Sequence, residues 1–190
     1  SEYLQENDII VYDGGSIMNY VMQTFRLKKG QRLISSTGLE LPGFAIPGAI
    51  GVSQWSIDKP IYCLCEGQGT QLSLTELQTI ATYQLPIKIM NFHSKGNATI
   101  RKIQKDFFGS RYVGTDNEIL FGHSAIEEIT RVYGIPVVEI KNPDKIAENL
   151  QDFISQKGPM MCEIHVDSDQ ELIPRMGFTI KDDGKWLAKP

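Results

Sequence analysis

The fold is decided by residues 60–92, PIYCLCEGQGTQLSLTELQTIATYQLPIKIMNF. Two short apolar runs, Pro60–Cys65 and Ile87–Phe92, lie on either side of a segment whose apolar residues recur at helical spacing from Leu74 to Ala81. A glycine-rich turn separates the first run from this segment. The order strand, helix, strand is typical of two parallel strands that a crossover helix connects.

The same alternation extends over the rest of the chain. Four further runs that are poor in charge are strand candidates: Asp8–Tyr12, Gln31–Ser35, Pro136–Ile140 and Met160–Val166. Strands that helices cover on both faces read as nearly continuous apolar runs rather than as alternating ones. The sequence therefore predicts an α/β fold of three layers, α/β/α, with a mostly parallel central sheet of about six strands.

Local signals mark where three helices begin. Residues Ser73–Glu76 and Ser124–Glu127 each have the spacing of a capping box ahead of a periodic apolar segment. Asn142-Pro143 predicts a capped start for another helix, which Gly158-Pro159 ends. The inward positions predicted for that helix are Ile146, Ala147, Leu150, Phe153 and Ile154. The polar, turn-rich segment 167–190 carries no predicted element.

Composition excludes several classes of function. A chain of 190 residues fits one domain, 1–190, because domains average roughly 150 residues. With 19 Lys and Arg against 23 Asp and Glu the net charge is −4, so neither a nucleic acid nor an anionic membrane has electrostatic support as a partner. The longest apolar stretch, Phe44–Val52, is nine residues, well short of the ~20 that a membrane helix requires.

The cysteines and the first residues of the chain indicate a compartment. The chain opens on SEYLQENDII, which has neither a basic region nor an apolar region of the kind that directs export. Cys63, Cys65 and Cys162 all lie in apolar, strand-like runs. We expect buried free thiols and a reducing, cytoplasmic location.

Three turns that contain glycine follow strand candidates. They are residues 13–16 (DGGS), 35–38 (SSTG) and 66–70 (EGQGT). Open parallel sheets bind ligands beyond the carboxyl ends of their strands, where the backbone N–H groups of such turns bind anions. Glycine is also common in these turns for conformational reasons alone, and neither a dinucleotide fingerprint nor a P-loop is present. A flavodoxin-like nucleotide binder is one alternative that the turns leave open.

Longer segments carry a resemblance to a known family. They are ISSTGLELPGFAIPGAIGV (34–52), EGQGTQLSLTELQTIATYQLPIKIMNFHSKGNATIRKIQ (66–104), FFGSRYVGT (107–115) and IHVDSDQELIPRM (164–176). Together they resemble the diphosphate-binding (PP) domain of thiamine-diphosphate enzymes, most closely the acetolactate-synthase-like group. The resemblance implies a domain that binds thiamine diphosphate with Mg²⁺ in an enzyme that decarboxylates or joins 2-keto acids.

The same resemblance implies partners. In this family, the glutamate that activates the cofactor comes from a pyrimidine-binding domain on a neighbouring subunit, and nothing in the 190 residues corresponds to that domain. We therefore expect a C-terminal fragment of a longer enzyme, a homo-oligomer when complete, with no catalytic residue of its own and no activity alone.

The resemblance also assigns site residues, position by position. The cofactor-binding positions are Gly15, Ser16, Gly38, Pro42, Gly67, Gln68, Gly69, Thr70, His93, Ser94 and Gly96. Of these, the metal-binding positions are Gly67, Ser94 and, through its carbonyl, Gly96. Pro42 falls where the family places the bulky apolar residue that bends the cofactor, and it follows Glu40 and Leu41 where smaller residues are usual.

Two of these positions lack the family's metal ligands. The aspartate that binds Mg²⁺ is replaced by Gly67 and the asparagine by Ser94, although Mg²⁺ is normally held by at least one carboxylate. A shift of one residue would place Gln68 at the aspartate position, and Glu66 is expected to reach the site only if the turn is rebuilt. One alternative function is therefore a degenerate PP domain, kept for subunit assembly or another ligand, that does not bind thiamine diphosphate.

Overall fold

A computed structural model describes residues 1–56, 59–94, 98–115, 126–167, 177–181, 183–184 and 186–189. Within these residues, the strands are β1 (Ile9–Tyr12), β2 (Arg32–Ile34), β3 (Ile61–Glu66), β4 (Ile87–His93), β5 (Val137–Ile140), β6 (Met160–His165), β7 (Gly177–Ile180) and β8 (Trp186–Lys189). The helices are α1 (Ser16–Thr24), α2 (Ala45–Ser53), α3 (Gly67–Leu72), α4 (Glu76–Thr82), α5 (Ala98–Phe107), α6 (Ile126–Val132) and α7 (Ile146–Ser155), with a 3₁₀ turn at Pro143–Lys145.

Strands β1 to β6 form one sheet in the order β2-β1-β3-β4-β6-β5, and every pairing in it is parallel. The predicted central sheet is therefore confirmed, and it is wholly rather than mostly parallel. All carboxyl ends of the strands meet at one edge. The strand order reverses direction beside β1, and ligands bind at such points in open α/β sheets.

Two hydrophobic clusters lie on the two faces of this sheet and make the fold three-layered. On one face Val11, Cys63 and Ile89 pack against Ala45 of α2 and Leu77 of α4. The opposite cluster is formed by alternate strand residues with α1 and α7: Ile10, Tyr12, Tyr62, Leu64, Ile17, Val21 and Phe153. Each fully buried side chain of this size contributes about 1.5–3 kcal/mol relative to an exposed one.

The helix-start predictions have different outcomes. Asn142 caps as predicted, since its Oδ1 accepts the N–H of Asp144 at 2.9 Å, although a 3₁₀ turn precedes α7. The prediction for Ser73 is wrong: its hydroxyl donates to the carbonyl of Gly43 at 2.8 Å instead of capping α4. A tertiary contact has replaced the local one. Ser124 lies outside the described residues.

The inward face predicted for α7 is correct only for its second half. Phe153 is fully buried and Leu150 and Ile154 pack beside it. Ile146 and Ala147, in the first turn, are exposed. The apolar spacing identifies the stripe but not the residue at which the helix comes into contact with the sheet.

A short antiparallel hairpin, β7 with β8, was not predicted. Its turn contains Gly184 at a φ of +78°, whose N–H donates to the carbonyl of Lys181 at 2.8 Å. The signal that could have found it is an Asp-Gly pair at 183–184 between two four-residue runs.

The cysteines lie in the interior of the protein. Cys63, Cys65 and Cys162 are free and buried, as expected. Burial raises the pKa of the Cys162 thiol to about 12. Of the helices described, none is both long enough and apolar enough to cross a membrane.

Candidate functional site

The first wall of the candidate site is the turn after β1. A side chain on Gly14 would collide with the backbone of Glu40, and Gly15 has a φ of +75°, in the left-handed region that favours glycine. These two glycines let the chain pass from β1 into α1 while the segment after β2 packs directly on the turn. The two glycines of the DGGS turn are thus required by the backbone geometry, and the same turn is available to bind a ligand.

The second wall is the connection from β2 to α2. Asp13 holds it in place, since its Oδ1 accepts the N–H of Ala45 at 2.8 Å at the start of α2. Glu40 adopts a φ of +47°, an unusual conformation for a residue with a side chain. Pro42 and Glu40 both line the cavity described below.

The third wall is the junction of β3 and α3, where helix begins at Gly67 immediately after the strand. Gly69 lies in the first turn of α3, and a Cβ there would collide with Oδ2 of Asp13 and lie 3.0 Å from the N atom of Gly43. The absence of a side chain at Gly69 is what allows the β1 turn, the α2 start and α3 to meet.

These walls enclose a cavity of about 140 Å³ at the carboxyl edge of the sheet. The described residues that line it are Asp13, Gly14, Gly15, Glu40, Pro42, Glu66, Gln68, Gly69, Thr99 and Ile100. Sites for a whole drug-sized molecule are about 300–1,000 Å³, so this volume suits one charged part of a larger ligand. Thr99 and Ile100 belong to the first turn of α5, a ten-residue helix whose N-terminus favours an anion.

Glu66 connects three strand ends at this cavity. Its Oε2 accepts the hydroxyl of Ser16 at 2.7 Å, and its Oε1 accepts the hydroxyl of Ser94 at 3.0 Å. Ser16 begins α1 after β1, and Ser94 directly follows β4. The carboxylate therefore lies between the two hydroxyls that the sequence assigns to the cofactor site.

The described lining is negatively charged. Asp13, Glu40 and Glu66 contribute carboxylates, and no Lys or Arg is among the described lining residues. Burial, with a smaller contribution from the charge of Glu66, raises the pKa of Asp13 to about 6, against the opposing effect of backbone N–H groups from Ala45, Gly43 and Phe44. The Oδ2 atom of Asp13 is buried and has no hydrogen-bond partner among the described residues.

A buried polar chain lies beside the cavity, on the carboxyl halves of β4 and β6. The Thr70 hydroxyl donates to Oδ1 of Asn91 at 2.6 Å, and the Asn91 amide donates to Oε2 of Glu163 at 2.7 Å. Oε1 of Glu163 lies 3.0 Å from Nδ1 of His93. The ring of His93 lies 5.1 Å from that of His165, its partner in the register of the sheet. The fully buried Glu163 carboxylate is thus satisfied by two side chains of β4.

The structure brings most of the predicted site residues to this edge. Gly15, Pro42, Gln68 and Gly69 line the cavity. Ser16 and Ser94 reach it through Glu66, and Thr70 and His93 belong to the adjacent polar chain. Gly38 is exposed and Gly67 faces Ile126, and neither is among the described lining residues. Gly96 lies outside the described residues.

Sequence reasoning did not assign Asp13, Glu40 or Glu66 to the site. Asp13 could have been found, because an Asp between a buried strand and a glycine pair lies at the edge where ligands bind. Glu66 could not have been found in this way, because its role depends on Ser16 and Ser94, which lie 50 and 28 residues away in the sequence.

The donors at the cavity fit a hard divalent cation together with a diphosphate. The carboxylate of Glu66 and the amide oxygen of Gln68 are oxygen ligands of the type that Mg²⁺ binds. Gly14, Gly15 and Gly69 line the same cavity, so no side chain from these three positions fills it. In the part of the chain that the structure describes, no three His, Cys, Asp or Glu residues are grouped as a metal site, so any cation would depend on ligand oxygens as well.

A wholly parallel sheet with a glycine-lined cavity at the carboxyl ends of its strands defines an α/β ligand-binding domain. Residues 13–164 match the family model described as "Thiamine pyrophosphate enzyme, C-terminal TPP binding domain", thiamine pyrophosphate being another name for thiamine diphosphate. The match covers well over half of the chain, and the chain belongs to this family.

Relatives along most of the chain are large subunits of acetolactate synthase. The chain is 27% identical to that of Porphyra purpurea over 146 residues, which are 77% of this chain and 24% of that protein. It is 26% identical to that of Lactococcus lactis subsp. lactis (strain IL1403) over 182 residues, 96% of this chain and 31% of that protein. Identity to isozyme 1 of Escherichia coli (strain K12) is 23% over 176 residues, 90% of this chain and 30% of that protein.

The chain therefore spans about a quarter to a third of the length of these relatives. It is a domain of the TPP-binding family, and it is similar to the acetolactate synthase large subunits along most of its own length.

Proposed function

We propose that the cavity at the ends of β1 and β3 binds the diphosphate of thiamine diphosphate, as part of an enzyme that decarboxylates or joins 2-keto acids. The observation that carries this proposal is the meeting of Gly14, Gly15 and Gly69 around one cavity at the carboxyl edge of the sheet. When bound, the cofactor supplies a carbon nucleophile for the carbonyl of a 2-keto acid, so that CO₂ can leave. The residues of this chain bind and orient it.

A divalent cation, Mg²⁺, is part of the proposal because of charge. Two like charges 4 Å apart repel each other by about 4 kcal/mol at an effective dielectric constant of about 20. The carboxylates of Asp13, Glu40 and Glu66 would impose such repulsion on a diphosphate. The N-terminus of α5 offsets part of it, and a bound cation would offset the rest.

The remaining parts of the function lie with partners. Under this proposal a pyrimidine-binding domain from a neighbouring subunit completes the site, in a cytoplasmic homo-oligomer. The exposed side chains of Leu39, Leu41 and Leu72, next to the cavity residues Glu40 and Pro42, leave apolar surface for such a neighbour. The substrate is a small 2-keto acid, and neither nucleic acid nor membrane takes part.

A second candidate function rests on Glu66. Its carboxylate already accepts hydrogen bonds from the hydroxyls of Ser16 and Ser94. An internal anion would make the same contacts in a domain that no longer binds a diphosphate. On this alternative the domain serves subunit assembly or another ligand.

Calorimetric titration of thiamine diphosphate separates the two functions. The proposal predicts micromolar binding with Mg²⁺ and loss of binding when EDTA replaces the cation. Thiamine, which lacks the diphosphate, is the matched control and should not bind. No heat with thiamine diphosphate at millimolar concentration, with Mg²⁺ present, would favour the degenerate domain.

A further inference from the structure

We infer that the carboxylate ligand of the divalent cation has moved from position 67 to Glu66, with Gln68 and Ser94 as the neighbouring oxygen donors. This inference rests on the proposed function only in taking the cavity as the place where the diphosphate is bound. It assigns the cation to side chains other than those that the resemblance provides.

The directions that side chains take at positions 66, 67 and 68 support Glu66, rather than residue 67, as the carboxylate ligand. A Cβ on Gly67 would lie 3.9 Å from Cδ1 of Ile126, and Gly67 is not among the described residues that line the cavity. Glu66 and Gln68, on either side of it, both line the cavity. A carboxylate placed at 67 would therefore face α6, whereas one at 66 or 68 faces the site.

The reach of Glu66 supports it as well. The resemblance assigns Ser94 to the position of the metal-binding asparagine, and Oε1 of Glu66 accepts the hydroxyl of Ser94 at 3.0 Å. The Glu66 side chain thus reaches the metal-binding position without any rebuilding of the turn. Hard cations take hydroxyl, amide and carboxylate oxygens together, and bound phosphates complete their shell.

Asp13 is an independent indication that the cavity favours positive charge. It is 2% exposed, it lines the cavity, and its Oδ2, on the wall that Gly69 forms, has no hydrogen-bond partner among the described residues. Oδ1 is committed to the N-terminus of α2. A buried carboxylate beside a second one is stabilised when positive charge enters the cavity.

The test is a titration of Mn²⁺ into the 190-residue chain, followed by the electron paramagnetic resonance signal of the free ion, with and without thiamine diphosphate. Glu66→Gln removes the charge, while its amide can still accept the hydroxyl of one serine and donate to that of the other. We expect it to weaken Mn²⁺ binding at least about tenfold, because loss of an outer-shell partner alone costs about 10–100-fold. Glu148→Gln, on the exposed side of α7, is the control and should leave Mn²⁺ binding unchanged.

Two gain-of-charge variants sharpen the test. Gln68→Asp should tighten Mn²⁺ binding, since residue 68 lines the cavity, while Gly67→Asp should leave it unchanged. The inference is overturned if Glu66→Gln binds Mn²⁺ as the unmodified chain does, if Gly67→Asp and not Gln68→Asp tightens it, or if the unmodified chain binds no Mn²⁺ under either condition.

The response of thiamine diphosphate itself keeps this inference distinct from the proposed function. If the cofactor binds with Mg²⁺ and Glu66→Gln does not weaken it, the function stands and the inference fails. If Glu66→Gln instead binds the cofactor more tightly and without metal, Glu66 is an internal anion and the inference also fails. If Mn²⁺ binds through Glu66 while the cofactor never binds, the cation site stands and the proposed function fails.

Discussion

Asp13 holds the start of α2 in place, and its burial disfavours the charged form of its carboxylate. Burial raises its pKa to about 6 from an ordinary value of 3.8, so the folded chain takes up a proton there between these pH values and the unfolded chain does not. Stability contributed by this group is therefore greatest below about pH 4 and falls as pH rises to about 6.

The variant Asp13→Asn should remove this dependence, because Asn keeps the oxygen that accepts the N–H of Ala45 and does not titrate. A shift of about 2 pKa units corresponds to about 3 kcal/mol. Between pH 4 and pH 7 the variant should gain up to that amount of unfolding free energy over the unmodified chain, measured by urea denaturation. Parallel pH curves for the two proteins would show that Asp13 is not the group responsible.

Gly69 is predicted to be the glycine least tolerant of a side chain in the site. Gly69→Ala places a Cβ against Oδ2 of Asp13, and overpacking of this kind costs about 1–3 kcal/mol. Gly51→Ala, in α2 with open space around it, is the matched control and should stabilise the chain by about 0.5–1 kcal/mol. Urea midpoints that move in the same direction for both variants would contradict the packing described for Gly69.

At the scale of single residues, the sequence identifies turns better than it identifies donors. Gly15, Gln68 and Gly69 line the cavity, because a turn after an apolar strand has only one edge of the sheet to occupy, and their contact with a cofactor stays a prediction. The role of Glu66 was missed because it depends on Ser16 and Ser94, which only the folded sheet brings together.

At the scale of elements, β4 and β6 are tied at their carboxyl ends by Asn91 and Glu163. Loss of either side chain leaves one atom of the other, Nδ2 of Asn91 or Oε2 of Glu163, buried without this partner, so the two losses should overlap. In a cycle of Asn91→Ala, Glu163→Ala and the double variant, we expect a coupling of about 0.5–3 kcal/mol in unfolding free energy. Strict additivity would mean that the two side chains stabilise the strands independently.

The strands were predictable because they are covered on both faces. Apolar runs such as 61–65 and 87–90 strongly favour buried strands at the centre of the sheet. The bounds of β3 and β4 accordingly lie within one or two residues of the predicted ones. The hairpin of β7 and β8 was missed because its four-residue strands pair only with each other and carry no long apolar run. The capping prediction for Ser73 was wrong for a related reason. Its hydroxyl donates instead to the carbonyl of Gly43, which is distant in sequence.

At the scale of the whole molecule, the chain corresponds to about a quarter to a third of the relatives' length, and its proposed function is binding rather than turnover. We predict that the chain with thiamine diphosphate and Mg²⁺ releases no CO₂ from pyruvate, because under the proposed function the activating glutamate comes from a pyrimidine-binding domain of a neighbouring subunit. Headspace detection of ¹³CO₂ from labelled pyruvate measures this. Release of labelled CO₂ that depends on added cofactor would show that the chain is catalytically complete.

The most direct measurement of the central claim is a crystal structure of the chain grown with thiamine diphosphate and Mg²⁺. We predict diphosphate density in the cavity between Gly15 and Gln68, with a cation on the Glu66 carboxylate. Density for the cofactor at another surface, or a cavity in which Glu66 still holds Ser16 and Ser94 while saturating cofactor is present, would contradict it.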